Sequence, residues 1–311
     1  MQQQQPQTDP EEYVVHWNAS SICPEPEPES TTTATIFFIH DMGEDARSNP
    51  RMCSLFAASA QSVSVVTCDV LGHGHWTASE HTPFVATIPS WRAAVDALIA
   101  TAQRHVPVPV PEEPPLPGLS HTHTHTRVIM GLGMGAIFAH IMASEMPPGF
   151  WHLAVLVDFS PPPSRKERML ARAAEMFRSK ERRREPSNMA ARVLKSRGSS
   201  SDLFADPEAP PPSPPSIKLV SEMSNAREHA WKKCTPVPPE TSVYIYNRET
   251  DYVTGKIAKK HKVKQALVDL ATWMDRIPSP VFDWTHVVES VLAKIRFLQN
   301  QTQNLVTVSL E

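Results

Sequence analysis

The chain has 311 residues, with 30 Lys and Arg against 33 Asp and Glu and a formal net charge of −3. That length holds one large domain or two ordinary ones, and the charge balance supplies no basic field for nucleic acid or an anionic membrane. Proline stands at 31 residues against 10 glycines, about twice its usual share of ~5%, so the connections are stiff rather than flexible.

Residues 1–33 read as a polar tail with a candidate first strand at Glu12 to Trp17. The opening Gln/Pro-rich run has neither a basic start nor an apolar centre, so no secretory signal is expected and the default location is cytoplasmic. Ala34 to His40 (ATIFFIH) is a compact apolar run of strand length. Asn49 to Ala60 carries a weak helical pattern, and Ser62 to Val70 (SVSVVTCDV) is a second core strand. Trp91 to His105 places Ala94, Val95, Leu98, Ile99 and Ala102 at helical spacing. A Pro-rich insert from Val106 to Leu119 is expected to be an exposed loop that continues to residue 126. Arg127 to Met130 is the next strand, Gly135 to Ser144 a helix, and Leu153 to Val157 a strand. The rhythm breaks over 161–240, resumes with Ser242 to Tyr246 (SVYIY), and closes with a helix from Val287 to Leu298.

Strands alternating with helices predict an α/β fold, a mostly parallel sheet covered on both faces. The division expected is an N-terminal core half at 34–160, a small helical, Pro-rich cap at 161–240, a C-terminal core half at 241–300 and a tail at 301–311. Val128 to Met146, the most apolar stretch, is 19 residues long, near the lower limit for a membrane helix. Its Gly-rich centre and missing aromatic belt predict a buried strand–turn–helix instead, and no membrane span. The cysteines Cys23, Cys53, Cys68 and Cys234 show no CxxC and no paired spacing, which argues against a disulfide framework and a structural zinc site.

Three short motifs follow three of the strands in order. The first is His40-Asp41-Met42-Gly43, the second Asp69-Val70-Leu71-Gly72-His73-Gly74-His75, and the third Gly131-Leu132-Gly133-Met134-Gly135 leading into a helix. This order resembles the α/β-hydrolase superfamily, whose corresponding motifs are an oxyanion loop, a D-x-x-G-H-G turn and the nucleophile elbow G-x-S-x-G. The resemblance covers about residues 34–160 well and 241–298 loosely. The insert lies where such proteins carry a cap.

The elbow position that holds a nucleophile in that superfamily is Gly133, which has no side chain to attack a carbonyl. Asp41 stands where the first motif usually has glycine. By the resemblance, the oxyanion donors are the backbone N–H groups of Met42 and Met134, and a carboxylate beside them repels a developing oxyanion. A glycine elbow with an H-D-x-G loop is similar to the N-myc downstream-regulated (Ndr) family, non-catalytic members linked to signalling and stress responses. The retained Gly72-His73-Gly74 turn looks more like a monoacylglycerol-lipase-type serine hydrolase, which makes a degenerate esterase or lipase the competing reading. A Gly-rich, phosphate-binding turn is a further alternative for GLGMG, although its spacing is one residue short of a dinucleotide fingerprint.

Asp251, after the SVYIY strand, sits where the superfamily commonly has its acid, and His286 stands near the place of the base. They are either a surviving pair or a helix cap and a helix-terminal histidine. His121, His123 and His125 alternate with threonine, as a metal comb or as low-complexity loop, and the loop reading is preferred, with no metal. Arg165 to Glu185 carries nine Lys/Arg and four Glu, a solvated helix face or a site for an acidic partner. With no interleaved aromatics except Phe177, it argues against nucleic acid. No cofactor is expected. The partner expected is a protein or a small apolar ligand, with the oligomeric state left open.

Overall fold

The computed structural model describes residues 14–17, 33–59, 63–73, 90–107, 125–159, 217–233, 236–248, 267–277 and 283–308. The strands are β1 (Val14–Trp17), β2 (Ala34–Ile39), β3 (Val63–Cys68), β4 (Thr126–Leu132), β5 (Leu153–Val157), β6 (Ser242–Arg248) and β7 (Trp273–Ile277). They form one seven-stranded sheet in the order β1-β3-β2-β4-β5-β6-β7. Only β1 runs antiparallel to its neighbour; the remaining pairs are parallel. The apolar runs at 36–39, 63–66, 128–130, 153–157 and 243–246 are therefore adjacent strands of one sheet, as their composition predicts.

The helices are α1 (Pro50–Ala57), α2 (Trp91–His105), α3 (Met134–Glu145), α4 (Ile217–Lys233) and α5 (Trp284–Val308). They cover both faces, which explains why the central strands are apolar at successive positions rather than alternating. Ile36 and Phe38 of β2 point to one face and pack with Met52 and Phe56 of α1 and Trp284, Val287 and Val291 of α5. Phe37 and Ile39 point to the other and pack with Leu98 of α2 and Ile137 and Phe138 of α3. Helix α3 is buried along its whole first ten residues, Met134 to Ala143, as its all-round apolar sequence requires.

Three parts of the chain depart from the sequence reading. Strand β7 reads WMDRI, too polar to stand out as a core strand, and it lies at the sheet edge against β6. Helix α4, within residues expected to belong to the cap, has no element assigned to it in the sequence reading, and it packs on the sheet body: Met223, Ala226 and Ala230 are buried in the same core as α2 and α3. Its His229 ring stacks 4.4 Å from Trp91. The expected exposed loop is shorter than predicted at both ends, because Val106 is 2% exposed and caps α2 while Thr126 opens β4. The rest of that loop, residues 108–124, lies outside the described residues, as do residues 206–216.

Candidate active site at the carboxyl edge of the sheet

In a parallel α/β sheet, ligands and chemistry gather beyond the carboxyl ends of the strands. Here β2 and β4 pair with Ile39 opposite Gly131. Two residues further on, the same register sets Asp41 beside Gly133, although they are far apart in sequence.

Gly133 is the turn between β4 and α3, with φ 56° and ψ −104°. It lies in the left-handed region that a side chain rarely tolerates. Its N–H donates to the Val157 carbonyl at 2.8 Å, which ties the turn to β5. A Cβ built on Gly133 would lie 2.5 Å from Asp41 Cγ and Oδ1 and 2.6 Å from Oδ2. The Asp41 carboxylate therefore occupies the space a side chain at position 133 would need. Gly135 has a different reason to lack a side chain: a Cβ there would fall on the Ile39 and His40 carbonyls.

Asp41 Oδ1 accepts two backbone hydrogen bonds, from Met42 N–H at 2.7 Å and from Met134 N–H at 2.9 Å. Met134 is the first residue of α3, so its N–H is one of the groups a helix cannot satisfy internally. Gly133 cannot cap that end, and Asp41 does so from a distant loop, its charge also favoured by the helix dipole.

The loop that carries Asp41 is held on all sides. His40 is buried; its Nδ1–H donates to the Asp41 carbonyl at 2.8 Å and its Nε2 accepts from Val70 N–H at 3.1 Å, which fixes the tautomer. Glu44 Oε2 accepts from Asp41 N–H at 3.1 Å and from Asn49 Nδ2 at 3.0 Å. Burial, and then the Asp41 carboxylate beside it, push the Glu44 carboxyl above its ordinary range. The second motif is joined to the first: Asp69 Oδ1 accepts from Ala46 N–H at 2.7 Å. His73 packs edge-on against His40 with ring centroids 5.2 Å apart. Burial, and then the His40 ring, lower its pKa to about 3.

Sequence reasoning singled out His40, Asp41, Met42, Gly43, Gly131, Leu132, Gly133, Met134 and Gly135, and the structure brings these together at one edge. The other candidates stand apart from this group or fall outside the described residues. His286 lies near the start of α5, half-buried, with its ring 6.0 Å from Tyr246. Asp251, His121, His123 and the basic run at 165–185 lie outside the described residues. His125 lies just before β4, with Nε2 2.9 Å from Thr35 Oγ1. Among the described residues no three His, Cys, Asp or Glu side chains gather to hold a metal ion.

Three residues of this edge were missed. Glu44 is one. The others are Asp158, directly after β5, and Arg248, the last residue of β6. Asp158 is the only described non-glycine residue at positive φ, 52°. Arg248 donates to it from Nε at 2.8 Å, from Nη2 at 2.5 Å and from its backbone N–H at 3.2 Å. No spacing signal links Asp158 to Arg248; only the β5–β6 pairing puts them together.

No protein-family model matches the chain, and no curated protein sequence matches it. Solved structures do. A thermostable carboxyl esterase from Bacillus coagulans is similar at TM-score 0.58 and 14% identity, over 92% of this chain and 94% of that one. MenH from S. aureus is similar at TM-score 0.52 and 14% identity, over 92% and 99% of the two chains. A monoacylglycerol lipase from Paleococcus ferrophilus is similar at TM-score 0.50 and 14% identity, over 93% and 98%. The chain has the α/β-hydrolase fold. Among the described residues, no helix is long and apolar enough to cross a membrane.

Proposed function

We propose that this chain is a non-catalytic α/β-hydrolase-fold protein of the Ndr-like kind, acting through binding of a protein or a small apolar ligand in signalling or stress response. One observation carries the reading. A single oxygen of Asp41 takes both backbone donors that an ester hydrolase of this fold aims at its oxyanion, and its carboxylate fills the space above Gly133. Among the described residues the elbow thus offers no nucleophile, and its two backbone donors are already spent on an internal anion. In this reading Gly133, Asp251 and His286 are vestigial positions. Residues 34–160 and 241–300 form the core, and 161–240 form a cap anchored through α4. A cytoplasmic location belongs to the same proposal, supported by the free buried thiols of Cys53 and Cys68.

The competing reading, a degenerate esterase or lipase of the monoacylglycerol-lipase type, is favoured by one feature. The elbow keeps its strained turn at Gly133 and the Met134 N–H at its helix end. The two readings separate in one assay. Purified protein should neither hydrolyse p-nitrophenyl esters nor be labelled by a fluorophosphonate. Turnover by the wild type that is abolished by Asp41→Asn or His286→Ala would overturn the non-catalytic reading. In the double variant Asp41→Gly with Gly133→Ser only traces of activity are expected. Each freed donor is worth ~10²–10³ in rate, but a serine without a positioned base remains a poor nucleophile.

A further inference from the structure

At the amino edge of the sheet, opposite the elbow, lies a positive charge with no counter-charge among the described residues. Arg127 is the second residue of β4 and is only 6% exposed. Its Nη2 donates to the Gly149 carbonyl at 2.7 Å, and its guanidinium lies 5.5 Å from the centre of the Phe150 ring. Its Nε–H has no acceptor, and no carboxylate pairs with it among the described residues. The Phe150 ring also packs 4.8 Å from Trp151, whose buried indole N–H likewise has no acceptor. Two donors without acceptors therefore belong to side chains that pack on one aromatic ring. Native proteins seldom leave such groups unmet, and a buried charge without a partner is the costliest case.

The polar neighbours of Arg127 among the described residues supply no negative charge. Across the sheet, Thr35 of β2 is its register partner. Thr35 Oγ1 is engaged with His125 and with Ser64 Oγ. On the other side, His152 accepts the Arg127 backbone N–H through Nδ1 at 2.9 Å. Burial, then Arg127, then His125, hold its pKa down at about 4, so His152 does not compete as a second cation near neutral pH. Space lies beside the backbone that steadies the guanidinium: a Cβ built on Gly149 would meet nothing within 4 Å.

We propose that Arg127, with Trp151 and His152 beside it, forms a binding site for a small oxyanion, a carboxylate or phosphate group of a small molecule, at the amino edge of the sheet. The guanidinium presents the planar pair of N–H donors that suits either group, and Phe150 holds its plane. The site is independent of the elbow and of the non-catalytic reading.

The test uses the full chain in chloride buffer at constant ionic strength, with inorganic phosphate and acetate as probes. Thermal and urea unfolding should show stabilisation by at least one of them. At about ten times its dissociation constant, a bound anion lowers the apparent unfolding constant about tenfold. Arg127→Met should abolish that response. In the wild type, the ring signals of His152 should shift saturably with the same probe by NMR, which keeps the test available if the variant fails to fold. A response to phosphate but not acetate, or the reverse, identifies the oxyanion. No response to either beyond that to chloride, or an equal response in Arg127→Met, overturns the proposal.

Discussion

The two edges of one sheet treat a buried charge in opposite ways. At the carboxyl edge, Asp41 is placed by the Ile39–Gly131 register against two backbone donors and a helix N-terminus. At the amino edge, Arg127 has one carbonyl and one aromatic ring. The first arrangement is complete without any ligand, and the second is not. A fold of this class keeps its chemistry at the carboxyl edge, yet among the described residues the two backbone donors at the elbow are already taken by Asp41. Binding capacity has to be sought in groups whose hydrogen bonds remain unspent, and the elbow offers few of them.

The largest expected effect tests how closed that edge is. Gly133→Ala puts a methyl into the Asp41 carboxylate and into a φ of 56°. The left-handed backbone costs about 1–2 kcal/mol, and displacing a charge-assisted acceptor from two N–H groups costs about 1.5–3 kcal/mol. A loss of about 3–5 kcal/mol in urea unfolding is therefore expected. Asp41→Gly should rescue part of it, because the space is then free. A double-mutant cycle should show coupling of about 1–3 kcal/mol between the two positions. Additive effects would mean that Asp41 and Gly133 are not one unit.

Much of this fold can be read in the sequence, for a physical reason. Strands covered on both faces must be apolar at successive positions, and ATIFFIH, VIM and LAVLV are. The edge strand β7, with Asp275 and Arg276 in its middle, has no such signal. Helix α4 buries only Met223, Ala226 and Ala230 among the described positions of a polar sequence, too small a stripe to announce a core helix. The glycine elbow and the aspartate in the first loop are visible as departures from a known pattern. Their contact is not, since it depends on β2 and β4 being neighbours. Asp158, Arg248 and the lone charge of Arg127 are invisible for the same reason: each is defined by what packs beside it.

The next effect separates the edges from the core between them. His140, on α3, is buried against Phe159, with ring centroids 5.8 Å apart and neither ring nitrogen bonded. Burial lowers its pKa to about 4 from an ordinary 6.5. Between those values the unfolded chain binds the proton and the folded chain does not, so stability is full above pH 6.5 and is lost as pH falls towards 4. The loss from this residue alone is roughly 3 kcal/mol. His73 and His152 act in the same direction, one at each edge. Glu44 acts in the opposite one: its raised pKa favours the protonated folded state, so its contribution is lost as pH rises above its ordinary value. Urea unfolding from pH 7 to pH 4 should show a net loss, and His140→Leu should flatten it. An unchanged slope in that variant would place the acid sensitivity at the edges.

The smallest effect decides whether the contrast between the edges is one of energy. Arg127→Met removes the guanidinium but keeps a side chain long enough to cover Phe150. It gives up the hydrogen bond to the Gly149 carbonyl, worth about 1 kcal/mol net. It also removes a charge that is 6% exposed and unpaired among the described residues, and replacing even a buried ion pair by apolar groups of similar volume is often neutral or stabilising by about 1–4 kcal/mol. In chloride buffer without added oxyanion, the balance should be a gain of about 1 kcal/mol. The matching operation at the other edge, Asp41→Leu, has no such gain, because it strands the N–H groups of Met42 and Met134. It should cost about 2 kcal/mol or more. Opposite signs for the two substitutions would establish that one edge is finished by the chain itself and the other awaits an anion. A loss in both would mean that Arg127 is held by its carbonyl and its aromatic ring as securely as Asp41 is held by its two donors, and the contrast would fail.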